Sequence, residues 1–132
     1  IDEKETLKLK ELECPHCHLV QVHSKVIENW KRLRYEIYGK PIIINSGYRC
    51  WDYHKQIYKE DYGDNWKEKI PENSYHLKGK AIDMVKPNDV DSIDDFAHMV
   101  MQAGFKGVGL YSWGVHGEVR QTQNVVTWEW GG

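Results

Sequence analysis

The stretch Ser74-Tyr75-His76-Leu77-Lys78-Gly79-Lys80-Ala81-Ile82-Asp83 sets a carboxylate seven residues after a histidine, with a glycine between them. Ala81-Ile82 before the aspartate and Met84-Val85 after it read as a short strand. His76 then sits on a loop, Gly79 at a turn and Asp83 on the strand. A neutral imidazole and a carboxylate are two of the three protein ligands of a zinc site that keeps an open position. The best candidate for the third is His116, in Gly114-Val115-His116-Gly117-Glu118-Val119-Arg120. Residues two apart on a strand face the same side, so His116 and Glu118 point one way and Val115 and Val119 the other. Zinc held by His76, Asp83 and His116 leaves its fourth position to water, whose pKa falls to roughly 7 there. Glu118 is the candidate to take that proton and pass it to a leaving amine.

Ser74-x-His76-x-x-Gly79-x-Ala81-x-Asp83, followed by His116-x-Glu118-x-Arg120, resembles the M15 family of zinc peptidases. These are D-alanyl-D-alanine carboxypeptidases and related murein peptidases, phage endolysins among them. Asn45-Ser46-Gly47-Tyr48-Arg49-Cys50 is similar to the upstream Ser-Gly-Tyr-Arg segment of that family, and the resemblance runs from about Leu7 to Trp128. Several members carry an acid three residues before the last histidine, where this chain has Trp113. Others have one two residues after it, commonly Asp, where this chain has Glu118, longer by one methylene.

The resemblance implies a hedgehog/DD-peptidase-like fold with the zinc ligands presented on the sheet. It also implies that Arg49 binds substrate, pairing two-pronged with a terminal carboxylate or steadying an oxyanion. Ser74 and Tyr75 line the groove or support the ligands, Trp113 and Tyr111 stand at its rim, and Arg120 orients Glu118. The implied substrates are peptidoglycan stem peptides. The implied place of action is the bacterial cell wall, in the periplasm or envelope or as a released phage lysis enzyme.

Cys14-Pro15-His16-Cys17-His18 admits other chemistry. C-x-x-C matches thiol oxidoreductases, and C-x-x-C-H matches a c-type haem attachment. Two thiolates with a nearby histidine can also hold a second, structural zinc. The redox reading wants a buried strand before the motif, and Leu7 to Glu13 is too charged; nothing else points to haem. Family members often have cysteines here and after Ser-Gly-Tyr-Arg. Cys50 is therefore expected to approach Cys14 or Cys17, as a disulfide or a metal clip.

These residues need a scaffold. Val26, Ile27, Trp30, Leu33 and Ile37 mark one face of a helix capped by Ser24 and ended by Gly39-Lys40-Pro41. Ile42-Ile43-Ile44 reads as a buried strand, and Trp51 to Tyr62 as a helix. Gly63 to Asn73 reads as a long loop, and Lys80 to Val85 as a strand. Ser92 or Asp91 caps a helix with Ile93, Phe96, Ala97, Val100 and Met101 inward. Lys106 to Tyr111 and Val115 to Arg120 form a hairpin through Ser112-Trp113-Gly114, and Val125 to Trp130 adds a last strand. Leu7 to Glu13 suggests an edge strand or irregular segment, and residues 1–6 a flexible lead-in. The expected fold is α+β: a small central antiparallel sheet packed by two or three helices, in one zinc peptidase domain over residues 1–132.

The 132 residues suffice for one buried core. A net charge of -2 gives no basic footprint for nucleic acid. No apolar run nears the ~20 residues that cross a bilayer. The polar start Ile1-Asp2-Glu3-Lys4-Glu5 carries no secretory signal, and the missing initiator Met keeps a removed one compatible. A monomer is expected. Two rivals remain: a non-catalytic zinc-binding recognition domain, as the hedgehog domain resembles these peptidases, and a C-x-x-C redox protein.

Overall fold

A computed structural model describes residues 9–129; the lead-in at 1–6 and Trp130 lie outside them. The domain is α+β, built on a five-stranded sheet in the order β1-β2-β4-β3-β5. The strands are β1 (Ile44–Ser46), β2 (Ala81–Val85), β3 (Gly107–Leu110), β4 (Gly114–Glu118) and β5 (Val126–Glu129). The main helices are α2 (Ser24–Lys31), α3 (Trp51–Tyr62) and α5 (Ile93–Gln102), with single turns α1 (Leu9–Leu12) and α4 (Trp66–Lys69). No helix among the described residues is long and apolar enough to cross a membrane.

The sheet is mixed, which corrects the antiparallel expectation. β1, β2, β4 and β3 pair antiparallel, but β5 runs parallel to β3. The chain leaves β4 at Glu118, opposite Gly107 at the start of β3. It passes over β3 and enters β5 at Val126, again beside Gly107, so both strands run the same way. Connectivity decides this, and no residue type announces it.

Alternation then divides the sheet. Ile82 and Met84 of β2, Val108 of β3 and Val115 of β4 join the buried core. There they meet Phe96, Ala97 and Val100 of α5 and Val26, Trp30 and Leu33 of the α2 segment. α5 forms as its pattern predicts: the Asp95 backbone N–H donates to Ser92 Oγ at 3.0 Å, fixing Ser92 as the cap. At α2 the cap is His23, whose Nδ1 accepts from the Lys25 N–H at 3.1 Å, and not Ser24. The helix continues as a π-helical turn over Arg32–Ile37, and Gly39 follows with φ +81°.

Three other expectations shift. Leu9–Leu12 is a helical turn and not a strand; Leu12, out of step with the apolar alternation, is the residue that is buried. The first strand begins at Ile44, and Ile43 is 67% exposed, because Ile42 and, in part, Ile44 turn into the core on either side of it. β1 also bulges: Ile44 pairs Met84 but Ser46 pairs Asp83, leaving Asn45 as the extra residue. The span Gly63 to Asn73 contains a 3₁₀ turn at Gly63–Asn65 and α4, so it is only partly loop.

Gly79 illustrates how tightly the metal-motif loop is held. It follows a 3₁₀ turn at Tyr75–Lys78 and adopts φ +68°, and its carbonyl accepts from the His23 N–H at 2.8 Å. A Cβ there would lie 2.1 Å from the Gln21 carbonyl oxygen, whereas one at Gly39 would meet nothing. Both alanine variants bear the left-handed cost of about 1–2 kcal/mol. Gly79→Ala is therefore expected to lower unfolding free energy clearly more than Gly39→Ala in urea titrations. Equal losses would show that the segment over Gly79 moves aside freely.

Candidate metal centre

One cross-strand row carries the centre. Ser46, Asp83, His116, Gly109 and Trp128 are successive partners across all five strands, from β1 to β5. Directly opposed residues share a face, so Asp83 and His116 meet side by side. The row one step along that face holds Ala81, Glu118, Gly107 and Val126. His76 enters from the 3₁₀ turn. One ligand atom each from His76, Asp83 and His116 lies within 4.8 Å of the other two, so the group could hold a metal ion. These three side chains and Glu118 are between 2% and 4% exposed, which leaves their charges to be balanced by protein.

Each imidazole is oriented by its second nitrogen. His76 Nδ1 donates to the Gly47 carbonyl at 2.8 Å, which leaves the Nε2 lone pair facing inward. His76 Nε2 is buried, has no hydrogen-bond partner, and lies 3.3 Å from Asp83 Oδ2. Donors 2.0–2.1 Å from a tetrahedral zinc are about 3.3 Å apart, so this pair fits such an ion. His116 Nε2 donates to Glu118 Oε1 at 2.7 Å, and its Nδ1 lies 2.8 Å from Asp83 Oδ1. A cation there would satisfy the unpartnered His76 nitrogen and replace the proton between His116 and Asp83.

The electrostatics follow from burial and these contacts. Burial pushes the His76 pKa down, outweighing the attraction of Asp83. Burial also opposes the charged form of Asp83, but His76 and His116 overcome it and hold the carboxyl well below the usual range. For His116, burial is overcome by the bonds to Asp83 and Glu118, and its pKa rises. Glu118 is lowered, because His116 and Arg120 outweigh its desolvation. Burial, with the Asp83 charge, pushes the Tyr111 phenol far above its ordinary value.

A cleft of about 460 Å³ opens on this cluster. Arg49, Ser74, Tyr75, Glu118 and Arg120 line it, as does Trp128, which the sequence reading left aside. Arg49 donates to Asp83 Oδ2 and to Ser46 Oγ, at 3.3 and 3.1 Å. Ser74 Oγ accepts from the His76 N–H, capping its turn. Arg120 Nε donates to Glu118 Oε2 at 2.6 Å, and its guanidinium lies over both Tyr75 and Trp128, 5.5 and 5.4 Å from their centroids. Trp113 stacks on Tyr111 with centroids 4.6 Å apart and is 40% exposed; Tyr111 is the one that lines the cleft. His54 is buried against the Pro71 carbonyl, and His98 is exposed on α5.

Two supports escaped the sequence reading. The Gly47 carbonyl orients His76, and no side-chain signal marks a backbone acceptor. Gly107 leaves room for the acid: a Cβ there would lie 2.4 Å from Glu118 Cγ and 2.8 Å from Arg120 Nε. The alternate glycines of Gly107-Val108-Gly109 were the available sign of a crowded sheet face.

The second predicted group also converges. The sulfurs of Cys14, Cys17 and Cys50 lie within 4.8 Å of one another as free thiols and could likewise hold a metal ion. No protein-family model matches the chain, and a search of curated proteins finds no match.

Asp83→Asn keeps the shape and removes the charge that His116 and Arg49 face. Leaving a buried partner uncompensated costs ~3–5 kcal/mol. We expect a loss of that order in urea unfolding of chelator-treated protein at neutral pH. A loss below ~1 kcal/mol, the range of an exposed pair, would show that water reaches the site freely.

Proposed function

We propose that this domain is a zinc-dependent peptidase acting on peptidoglycan peptide bonds. The observation that carries the metal reading is the buried, unpartnered His76 Nε2, converging with Asp83 and His116 at the wall of an open cleft. The murein substrate rests on the resemblance of the Ser74-to-Asp83 and His116-to-Arg120 motifs. His76, Asp83 and His116 would hold the zinc. When bound, it supplies a water of lowered pKa and polarises a carbonyl oxygen.

The other residues act through position. Gly47 and Glu118 fix the two imidazoles so that each turns one nitrogen towards Asp83. Arg49 and Arg120 give the cleft two guanidinium groups, suited to the carboxylates of a stem peptide. Tyr75 and Trp128 hold the plane of Arg120. Glu118 is the acid nearest the centre, and the sequence suggested it as the base. Both its oxygens already accept, from His116 and Arg120, which gives it an orienting role as well.

That double engagement favours one second reading, a zinc-binding domain of this fold that recognises murein peptides without cleaving them. Glu118→Ala separates the roles. A base lost with zinc retained leaves the metal content of the protein, purified without a metal-affinity tag, unchanged and lowers turnover by ~10²–10⁴-fold. An orienting residue lost weakens zinc affinity by ~10–100-fold. We expect zinc-loaded wild type to release new amino groups from murein stem peptides. His116→Ala should hold one zinc fewer per chain and release none. Binding of the peptides without any release by zinc-loaded wild type would establish the recognition reading instead.

A further inference from the structure

The peptidase reading leaves the cysteine cluster unused. Cys14 and Cys17 lie in a tight turn: the His18 N–H donates to the Cys14 carbonyl at 2.8 Å, and the Cys14 N–H to the Leu19 carbonyl at 2.9 Å. His18 closes the turn with φ +61°, a left-handed conformation that a β-carbon resists. Cys50, immediately after Arg49, stands at the N-cap position of α3 without a side-chain cap bond, and its sulfur faces this turn. Its N–H donates to Cys14 Sγ at 3.4 Å.

Two of the separations are those of metal ligands, and the three sulfurs lie within 4.8 Å of one another. Cys14 Sγ and Cys50 Sγ are 3.6 Å apart, and His16 Nδ1 is 3.7 Å from Cys50 Sγ. Thiolates 2.3 Å from a tetrahedral zinc lie about 3.8 Å apart, and a thiolate and an imidazole nitrogen about 3.6 Å apart. The backbone N–H groups of Cys50, Cys17 and His16 point at the Cys14 sulfur, an arrangement suited to a thiolate. His18 is engaged elsewhere, 3.2 Å from Glu13, and His16 is the imidazole beside the Cys50 sulfur.

We propose that Cys14, Cys17 and Cys50, with His16 turning in from beside Cys50 as the fourth ligand, bind a second, structural zinc ion that clips the N-terminal turn to the start of α3. Three thiolates and one imidazole make a closed tetrahedral set with no position for substrate. The clip bears on the candidate centre through the backbone between Ser46 and Cys50. Gly47 packs so closely on Leu12 that a Cβ would lie 2.9 Å from Leu12 Cα, and the Tyr48 N–H donates to the Leu12 carbonyl. Fixing Cys14 to Cys50 therefore holds the Gly47 carbonyl against His76, and Arg49 against Asp83, from the far side.

The test removes the first site so that the two readings fail separately. The doubly substituted His76→Ala, His116→Ala chain, purified with reductant and without a metal-affinity tag, is expected to retain one zinc. Adding Cys17→Ser should abolish it, and adding His16→Ala should let a chelator withdraw it faster. Because Cys17→Ser can fail to fold, the unmutated chain is also loaded with cobalt. Thiolate ligation gives an intense sulfur-to-cobalt charge-transfer band in the near ultraviolet, which the His and Asp ligands cannot produce. Absence of that band in the reduced protein overturns the proposal. So does a Cys14–Cys50 disulfide in protein purified without reductant, seen as two missing hydrogens in the intact mass with no zinc bound. Neither result touches the His76–Asp83–His116 site.

Discussion

An ionised carboxylate out of contact with water is among the most expensive groups a protein can bury. Asp83 is one; His116 and Arg49 offset its cost, and His76 stands beside it. Each comes from a different element, namely the neighbouring strand β4, the segment entering α3 and the 3₁₀ turn before β2. The requirement that all three reach one carboxylate ties the loop, the sheet and the helix start into a single arrangement. The outer bonds, from Gly47 to His76 and from Glu118 to His116, keep the rings from turning away.

The sheet makes this affordable by separating two environments with one backbone. Its core face carries Ile82, Met84, Val108 and Val115 against α5 and the α2 segment. Its other face carries Asp83, His116 and Glu118, and bulk there is limited where the acid needs room, as at Gly107. Tyr75 and Trp128 close on Arg120 from two sides, so that a cation at the edge of the cleft is held by apolar surface as well as by Glu118.

Much of this was legible from residue types and spacing. The interval from His76 to Asp83 and the alternation of His116 with Glu118 mark residues that the structure brings together. α3 and α5 follow from local pattern, cap and glycine. What stayed hidden depends on distant partners. The isoleucines at Ile42 to Ile44 satisfy a strand pattern, but the register with β2 moves the strand to Ile44–Ser46 and inserts the Asn45 bulge. The direction of β5 is set by which strand lies between it and β4. Cys50 was expected near Cys14 or Cys17 from resemblance alone, since nothing local links residues 36 apart.

That long-range character governs the order in which the molecule can assemble. The turn between β3 and β4 is a local closure, whereas Asp83 meets His116 across 33 residues, Arg49 across 34, and His76 meets Gly47 across 29. Each of those closures carries an entropic cost before any contact returns it. The hairpin therefore has reason to form early, and the charged cluster only once β2 docks and β1 follows. Until then Asp83 stays solvated, and His76, Asp83 and His116 stand apart. A ligand that binds the finished cluster more tightly than its precursors stabilises the completed sheet, by an amount that grows with the ratio of its concentration to its dissociation constant.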